Sequence, residues 1–488
     1  MQTASKRVIN GWAMFDWANS VYNLVITTTF FPIYFTTVAK NGTGPGSDKI
    51  TFLGFKFVNS SLYEYSLAAA YLIIALSYPI LTSVADTRGN KKNFMRFFSF
   101  IGAFGCTMLF FFTGMDTLWL GILAFMMAAM GYVGSLVFYN AFLPEIAAPE
   151  DRDRISAKGF SYGYIGSVIM QLIGFGLVLA MPDSTTPIRI TFLLVGLWWF
   201  GFAQITFARL PKINRQDLVK VNVFKQGFAE TKRIYKEVNL MPVLKRYLRG
   251  FFFYSMGVQT VMLAATIVGS KLLGLPETKL IVTVVLIQLV AIPGALLISR
   301  LSAKFGNLKV LMTLIVFWVV ICFAGYKTAE RAEPLKPFHH QVDELKHNKS
   351  KLKEQKAPDA EIRKIDAEIE TVIKSFEPQQ APVEYAFYAL AIAVGLVMGG
   401  IQSLSRSTYS KLMPQTKNTA SYFSYYDLTE KIAIVIGMFT FGFIAEYTEK
   451  HGGMKNSLLA LIVFFLIGLF WLYLALIKQK KMKVSAIG

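Results

Sequence analysis

Cysteine is nearly absent from this 488-residue chain: there are two, Cys106 and Cys322, each inside an apolar run. Two such residues build neither a disulfide framework nor a cysteine-based metal site. Histidine is as scarce, four residues with three of them in one charged stretch, so a metal-centred enzyme lacks ligands. Charged residues make up only 16%, against about 25% in an ordinary soluble domain. No phosphate-binding loop, dinucleotide fingerprint or nucleophile elbow occurs, so ATP hydrolysis, a cofactor and a metal are not expected. What is present is apolar: 54% hydrophobic and 15% aromatic residues, with mean hydropathy +0.45. Apolar runs of the ~20 residues needed to cross the hydrocarbon recur from end to end. A soluble enzyme, a disordered chain and a secreted disulfide scaffold are excluded.

The runs predict an all-α membrane protein of twelve transmembrane helices, near 11–39, 61–85, 93–114, 117–140, 159–181, 188–208, 250–274, 279–301, 309–327, 384–406, 421–446 and 456–477. A spanning barrel would instead show ~10-residue alternating segments. Lys6 and Arg7 precede the first run as in a signal peptide, but no cleavage site follows, which predicts a retained helix. The formal charge of +20 invites a nucleic-acid reading. The fifty basic residues are dispersed by topology, however, with thirty in the terminal segments and alternate loops that face one side. By the positive-inside rule both termini are cytoplasmic, and no nucleic-acid surface is expected. The bacterial inner membrane is the expected location.

The helices divide into an N-terminal six-helix bundle, 1–208, and a C-terminal one, 250–326 with 384–477. Between them 209–249 holds eleven basic and three acidic residues and is expected to lie as a cytoplasmic linker on anionic headgroups. A second basic segment is the tail, 478–488. The insert 327–383 interrupts the second bundle with a charged helical hairpin on the external side, Gln341–Gln355 and Asp359–Phe376 flanking Pro358. Val342, Leu345, Leu352, Ile362, Ile365, Ile369, Val372 and Ile373 give it an apolar seam at helical spacing. It reads as a solvated lid or as a contact for a protein partner at 336–378, ahead of metal capture by His339, His340 and His347.

A few polar side chains stand inside the apolar runs. Asp16, Asn19, Asn23 and Thr27 are spaced i, i+3, i+7, i+11, on one helix face. A carboxylate in lipid costs at least ~3 kcal/mol, so that face lines protein or water, taking up a proton or an ammonium at Asp16 or serving as a polar seam between helices. Asp427 and Lys431 are i, i+4 and expected to pair, which leaves Glu430 free to titrate or to meet Arg406; the trio can form a transport site or a gate. Gln402 and Arg406 share another helix face, Arg406 either holding a carboxylate or snorkelling to headgroups. Tyr162, Gln171, Gln204, Tyr254, Gln259 and Gln288 are single polar groups that could face a cavity, and most of them read as interhelical hydrogen-bonding groups.

The two halves also resemble each other. Ala85–Asn90 parallels Ala303–Asn307, and Pro144 with Phe160–Tyr162 parallels Pro414 with Phe423–Tyr425. Repeated six-helix units are common among secondary transporters. Asp86-Thr87-Arg88-Gly89-Asn90-Lys91 resembles the loop signature of the major facilitator superfamily. Phe15–Ser20, Tyr139–Glu145, Ile155–Gly159, Gly399–Ser407 and Tyr426–Lys431 resemble, within it, the branch of the autophagy-associated vacuolar amino-acid effluxer. The resemblance implies the superfamily's fold, a cytoplasmic latch at Asp86, Arg88, Gly89 and Lys91, and export of a small solute such as an amino acid, with proton coupling. Asp16, Asn19, Asn23, Gln402, Arg406, Asp427, Glu430 and Lys431 are then the candidate solute and coupling residues. A carrier of sugars, peptides or drugs is the alternative, and a receptor or scaffold that uses the hairpin is a third reading.

Overall fold

The computed structural model describes residues 2–43, 49–181, 185–211, 223–355, 357–448 and 453–485. Parts of the basic linker (212–222) and of the tail (486–488) lie outside them. Among the described residues eleven helices are long and apolar enough to cross a membrane. The first is composite: α1 (Lys6–Val21), a π-helical stretch over Tyr22–Phe30, and α2 (Phe31–Thr43). The β-branched run Val25–Thr29 sits in the widened part, where the Thr28 and Thr29 hydroxyls both donate to the Leu24 carbonyl. A π-turn carries more residues than an α-turn, so the predicted straight face breaks: Asp16 and Asn19 are buried, Asn23 and Thr27 only half-buried.

A small antiparallel hairpin, β1 (Lys49–Phe52) and β2 (Phe55–Val58), turns at Leu53-Gly54, both at positive φ, and was not expected. Then follow α3 (Asn59–Arg88), α4 (Lys91–Met108), α5 (Leu118–Ile146), α6 (Arg152–Ala180) and α7 (Thr186–Arg209). The linker expected over 209–249 contains a helix, α8 (Val223–Leu240), and its last residues already belong to α9 (Pro242–Lys271). Next come α10 (Glu277–Phe305), α11 (Asn307–Ala332), α12 (Lys336–Glu354), α13 (Asp359–Leu412), α14 (Thr419–Tyr447) and α15 (Met454–Val484).

The packing repeats. α1 lies against α6 and α7, α3 against α5, and α4 against α5 and α7; α9 lies in the same way against α14 and α15, α10 against α13, and α11 against α13 and α15. Across the middle, α6 meets α10 and α13, and α14 meets α3 and α5. The polar groups of interest sit on these crossing helices.

The charged hairpin forms from α12 and the start of α13, closed by Lys349 against Asp366. Its expected seam holds Val342, Leu345, Leu352, Ile362, Ile365, Ile369 and Val372, whereas Ile373 is exposed. The expected break before residue 384 is absent. α13 runs unbroken for 54 residues through Pro378 and Pro382. At 1.5 Å per residue that is ~80 Å, more than twice the hydrocarbon thickness. The second arm of the hairpin and the helix carrying Arg406 are therefore one rod. Its foot is fixed to the turn after α9, where the Gln380 amide donates to the Leu273 carbonyl (2.9 Å).

Candidate functional site

Arg406, on α13, is held from several sides. Its Nε donates to Ser156 Oγ and its Nη2 to the Ser156 carbonyl, both at 2.9 Å, and Nη1 donates to Asn140 Oδ1 at 3.2 Å. Both Nη atoms lie 3.4 Å from Asp16 Oδ2, on α1. The same carboxylate oxygen accepts from the Tyr139 hydroxyl at 2.7 Å. Phe160, Trp12 and Tyr139 surround the guanidinium, with ring centroids 4.4, 4.9 and 5.3 Å from its carbon. Trp12 is stacked on Tyr139 and donates to its carbonyl, which locks the cage. Snorkelling is thereby overturned: Arg406 is 4% exposed, because an aromatic cage and fixed acceptors replace water. Gly159 shows how close the packing is, since a Cβ there would lie 2.5 Å from Asp16 Oδ2 and 2.8 Å from the Tyr139 hydroxyl.

The second cluster differs from the expected pairing. Lys431 Nζ is 3.6 Å from Glu430 Oε2 and stands over the Tyr71 ring, and Glu430 Oε1 accepts from the Gln259 amide at 3.1 Å. Glu430 is thus neither unpaired nor joined to Arg406. Asp427 is buried, forms no ion pair among the described residues, and lies beside Asn140 of α5 and Tyr78 of α3. Helical i, i+4 spacing allows an Asp427–Lys431 pair, but Lys431 turns to its neighbour Glu430 instead. Asn140 Oδ1 accepts from Arg406, while the Tyr78 hydroxyl donates to the Val133 carbonyl at 3.0 Å. Asp16, Arg406, Asn140, Asp427 and Tyr78 thus form a row of polar groups across both halves. Its charges, with Glu430 and Lys431, are three acids and two bases, and the two ion pairs leave Asp427 as the excess carboxylate.

The other candidates lie around this chain. Asn19 is fully buried, and neither atom of its amide has a protein hydrogen-bond partner. Gln402 accepts from the Tyr164 hydroxyl at 2.9 Å and donates toward Met262 Sδ. Gln288 donates to Gln171, which donates to Thr29, at 3.0 and 2.9 Å, as interhelical groups should. Trp12, Tyr78, Tyr139, Asn140 and Ser156 were not singled out as site residues. Tyr139, Asn140 and Ser156 lie within motifs that carried the family resemblance, so a signal existed; Trp12 and Tyr78 gave none.

Of the four residues expected to form a latch, Asp86 and Lys91 reach across to the other half and Gly89 turns the chain between them. Asp86 accepts from the backbone amides of Ala420 (3.1 Å) and Ser421 (2.8 Å) and from the Ser421 hydroxyl, capping the N-terminus of α14 from the other half. Lys91 pairs with Glu145, donates to Thr419 Oγ1 at 2.6 Å and lies 3.8 Å from Asp86. Gly89 makes the turn at φ +65°. Arg88 is exposed and has no ion-pair partner among the described residues. A counterpart occurs in the repeat: Asp153, in the first turn of α6, accepts from Ser302 and Asn307 of the α10–α11 turn, each at 2.8 Å, and from Lys411 at 2.6 Å. No group of three potential metal ligands occurs among the described residues, the hairpin histidines included.

The family described as "vacuole effluxer Atg22 like" matches residues 4–343 and 376–486, leaving out most of the hairpin. The chain is 27% identical over 469 residues to the MFS-type transporter YxiO of Bacillus subtilis (strain 168), covering 94% of this chain and 92% of that protein. It is 23% identical over 509 residues to autophagy-related protein 22 of Saccharomyces cerevisiae (strain S288c), covering 91% and 87%. Among solved structures it is similar in fold to an outward-facing bacterial homologue of the iron transporter ferroportin (TM-score 0.58, 13% identity, 95% and 98% covered). The outward conformation of FucP, a major facilitator superfamily transporter, is as similar (TM-score 0.58, 12% identity, 96% and 98% covered). Repeated packing, a multi-pass apolar architecture and these matches agree: the chain is an integral membrane protein of the Atg22-like effluxer family, a branch of the major facilitator superfamily of transporters.

Proposed function

We propose that this protein exports amino acids or similar small zwitterionic solutes by alternating access, with protons as the coupling ion. The observation that carries the reading is the buried Asp16–Arg406 pair between the halves, with Asn140 and the unbalanced Asp427 beside it. A zwitterion offers a carboxylate for Arg406 and an ammonium for Asp16, so it can replace each partner of the pair with another of the same charge. Arg406 suits a planar carboxylate because its donors are a fixed fork. The amide of Asn19, one turn along α1, gives the solute a polar contact that the protein leaves open. An uncharged sugar would leave a buried pair of this kind unused. Asp427, the acid outside both ion pairs, is the group whose protonation balances the site. The effluxer description of the family supports the direction of transport.

In the same reading α9 is the twelfth span, completing bundles of six at 1–208 and at 250–326 with 384–477. Both termini and the latches face the cytoplasm of a bacterium, and the hairpin faces outward. With both latches made, the structure is the state closed on the latch side.

The test is counterflow in proteoliposomes with a panel of radiolabelled amino acids, sugars and peptides. Uptake of one or more amino acids that Arg406→Gln abolishes supports the reading; counterflow of a sugar alone refutes it.

A further inference from the structure

The helix α8 has two faces, and the inner one is a strap. Ile234 and Val238 are buried against the body, where α8 packs on α3 of the first half and on α9 and α14 of the second. Glu230 accepts from the Asn418 amide at 2.8 Å, Glu237 accepts from the Tyr422 hydroxyl, and Arg233 ties both acids together at 2.6 and 3.3 Å. Asn418 and Tyr422 flank the residues that Asp86 caps. α8 therefore closes over the latch and touches both halves at once.

The outer face is not built for water. Phe228, Lys232, Tyr235 and Lys236 follow one another at i, i+4, i+7, i+8, one continuous stripe of a helix. Phe228 is 60% exposed and Tyr235 56%. Lys232 and Lys236 are exposed and have no carboxylate partner among the described residues; both acids of α8 are turned inward. Aromatic rings beside unpaired lysines are the chemistry of the membrane interface, where rings sit at headgroup level and ammonium groups meet lipid phosphates. We propose that this stripe is a binding face for anionic phospholipid headgroups of the leaflet on the latch side, and that bound lipid holds α8 down and so favours the latched state. Charge complementarity selects an anionic lipid over a zwitterionic one, because each lysine near such a surface gains from its negative potential.

The experiment uses the full chain in nanodiscs of phosphatidylcholine alone or with one third phosphatidylglycerol, followed by hydrogen–deuterium exchange over peptides spanning 223–240 and 415–425. Anionic lipid should slow exchange in both segments, by up to about 30-fold for two lysines, and 1 M salt should erase most of the effect. Lys232→Gln with Lys236→Gln should remove the dependence on lipid while leaving the rates in pure phosphatidylcholine and the melting temperature unchanged. Equal exchange in the two bilayers, an effect that survives the double substitution, or equal protection by soluble glycerophosphate in phosphatidylcholine discs would overturn the proposal. If the double variant melts early, Phe228→Ser and Tyr235→Ser, which keep both charges, provide the second arm: retained lipid dependence there would overturn the role of the aromatic half of the stripe.

Discussion

Removing both charges of the Asp16–Arg406 pair should destabilise the protein no more than removing Arg406 alone, well short of the sum of the two single losses. In Arg406→Gln, Asp16 keeps only the Tyr139 hydroxyl as a donor, and an ionised carboxylate with one neutral partner inside the bundle is strongly disfavoured. Breaking a buried pair from one side costs ~3–5 kcal/mol. In Asp16→Asn the guanidinium still has Ser156, Asn140 and three aromatic rings, so the loss should be smaller, ~1.5–3 kcal/mol, the range of a hydrogen bond to a charged group. Combining the two leaves neutral amides in contact, and the double variant should be no worse than Arg406→Gln alone. The 3.4 Å separation corresponds to a Coulomb attraction of ~4–5 kcal/mol at an effective dielectric of 20, an upper bound on the coupling. A double-mutant cycle on unfolding free energies from SDS titration in mixed micelles measures it, with at least ~1.5 kcal/mol expected. Additivity of the two substitutions within ~0.5 kcal/mol would mean that the charges do not support each other, and the site as described would be wrong.

Asp427→Asn should preserve amino-acid counterflow yet abolish accumulation driven by an imposed pH gradient, because the excess acid is gone while the solute contacts remain; intact pH-driven accumulation would move coupling elsewhere. Asp86→Asn weakens the cap on α14 by ~0.5–2 kcal/mol, and Asp153→Asn should act in the same direction at its counterpart. In both variants a cysteine at Thr419 should react with a bulky maleimide several-fold faster than in the parent. Gly159→Ala places a methyl 2.5 Å from Asp16 Oδ2 and should abolish transport with the protein still folded, measured as counterflow beside normal gel-filtration behaviour. Deletion of 344–375, the segment outside the family match, should leave transport within about two-fold of the parent, since the foot at His339, Phe376 and Gln380 stays in place.

The spanning helices and their repetition were legible in the sequence because lipid permits few alternatives: hydrophobic runs of fixed length must be helices, and like sequences at Asp86–Asn90 and Ala303–Asn307 mark like turns. The site was legible as a set of residues and illegible as a set of pairs. Periodicity places Asp427 and Lys431 on one face of α14, yet whether they meet depends on the neighbours that the fold brings, and Lys431 meets Glu430 and the Tyr71 ring instead; Tyr78 carries no mark along the chain of its place beside Asp427. Arg406 illustrates the same limit from the other side. Six residues from the end of its helix it resembles a snorkelling arginine; only the arrival of Trp12, Tyr139 and Phe160 from three other helices makes burial the better state. The π-helical stretch in the first span and the continuity of α13 through two prolines were hidden for a related reason, because tertiary packing outweighs local backbone preference at both places.

Asn140 is the joint of this arrangement, and its chemistry explains why the two clusters need not be independent. Its amide oxygen accepts from Arg406 at 3.2 Å, and the same side chain stands beside Asp427. If a solute carboxylate draws the guanidinium away, Asn140 loses its charged donor and is free to turn, and the surroundings of Asp427 change with it. Solute binding at Arg406 and proton uptake at Asp427 are then linked by one side chain, and linkage of this kind is reciprocal. The linkage predicts that Asn140→Leu, which removes the amide at similar volume, separates the two events: solute binding measured by thermal shift at pH 6 and pH 8 should differ in the parent and should lose that difference in the variant. A pH dependence that survives the substitution would show that Asp427 and Arg406 communicate by another route.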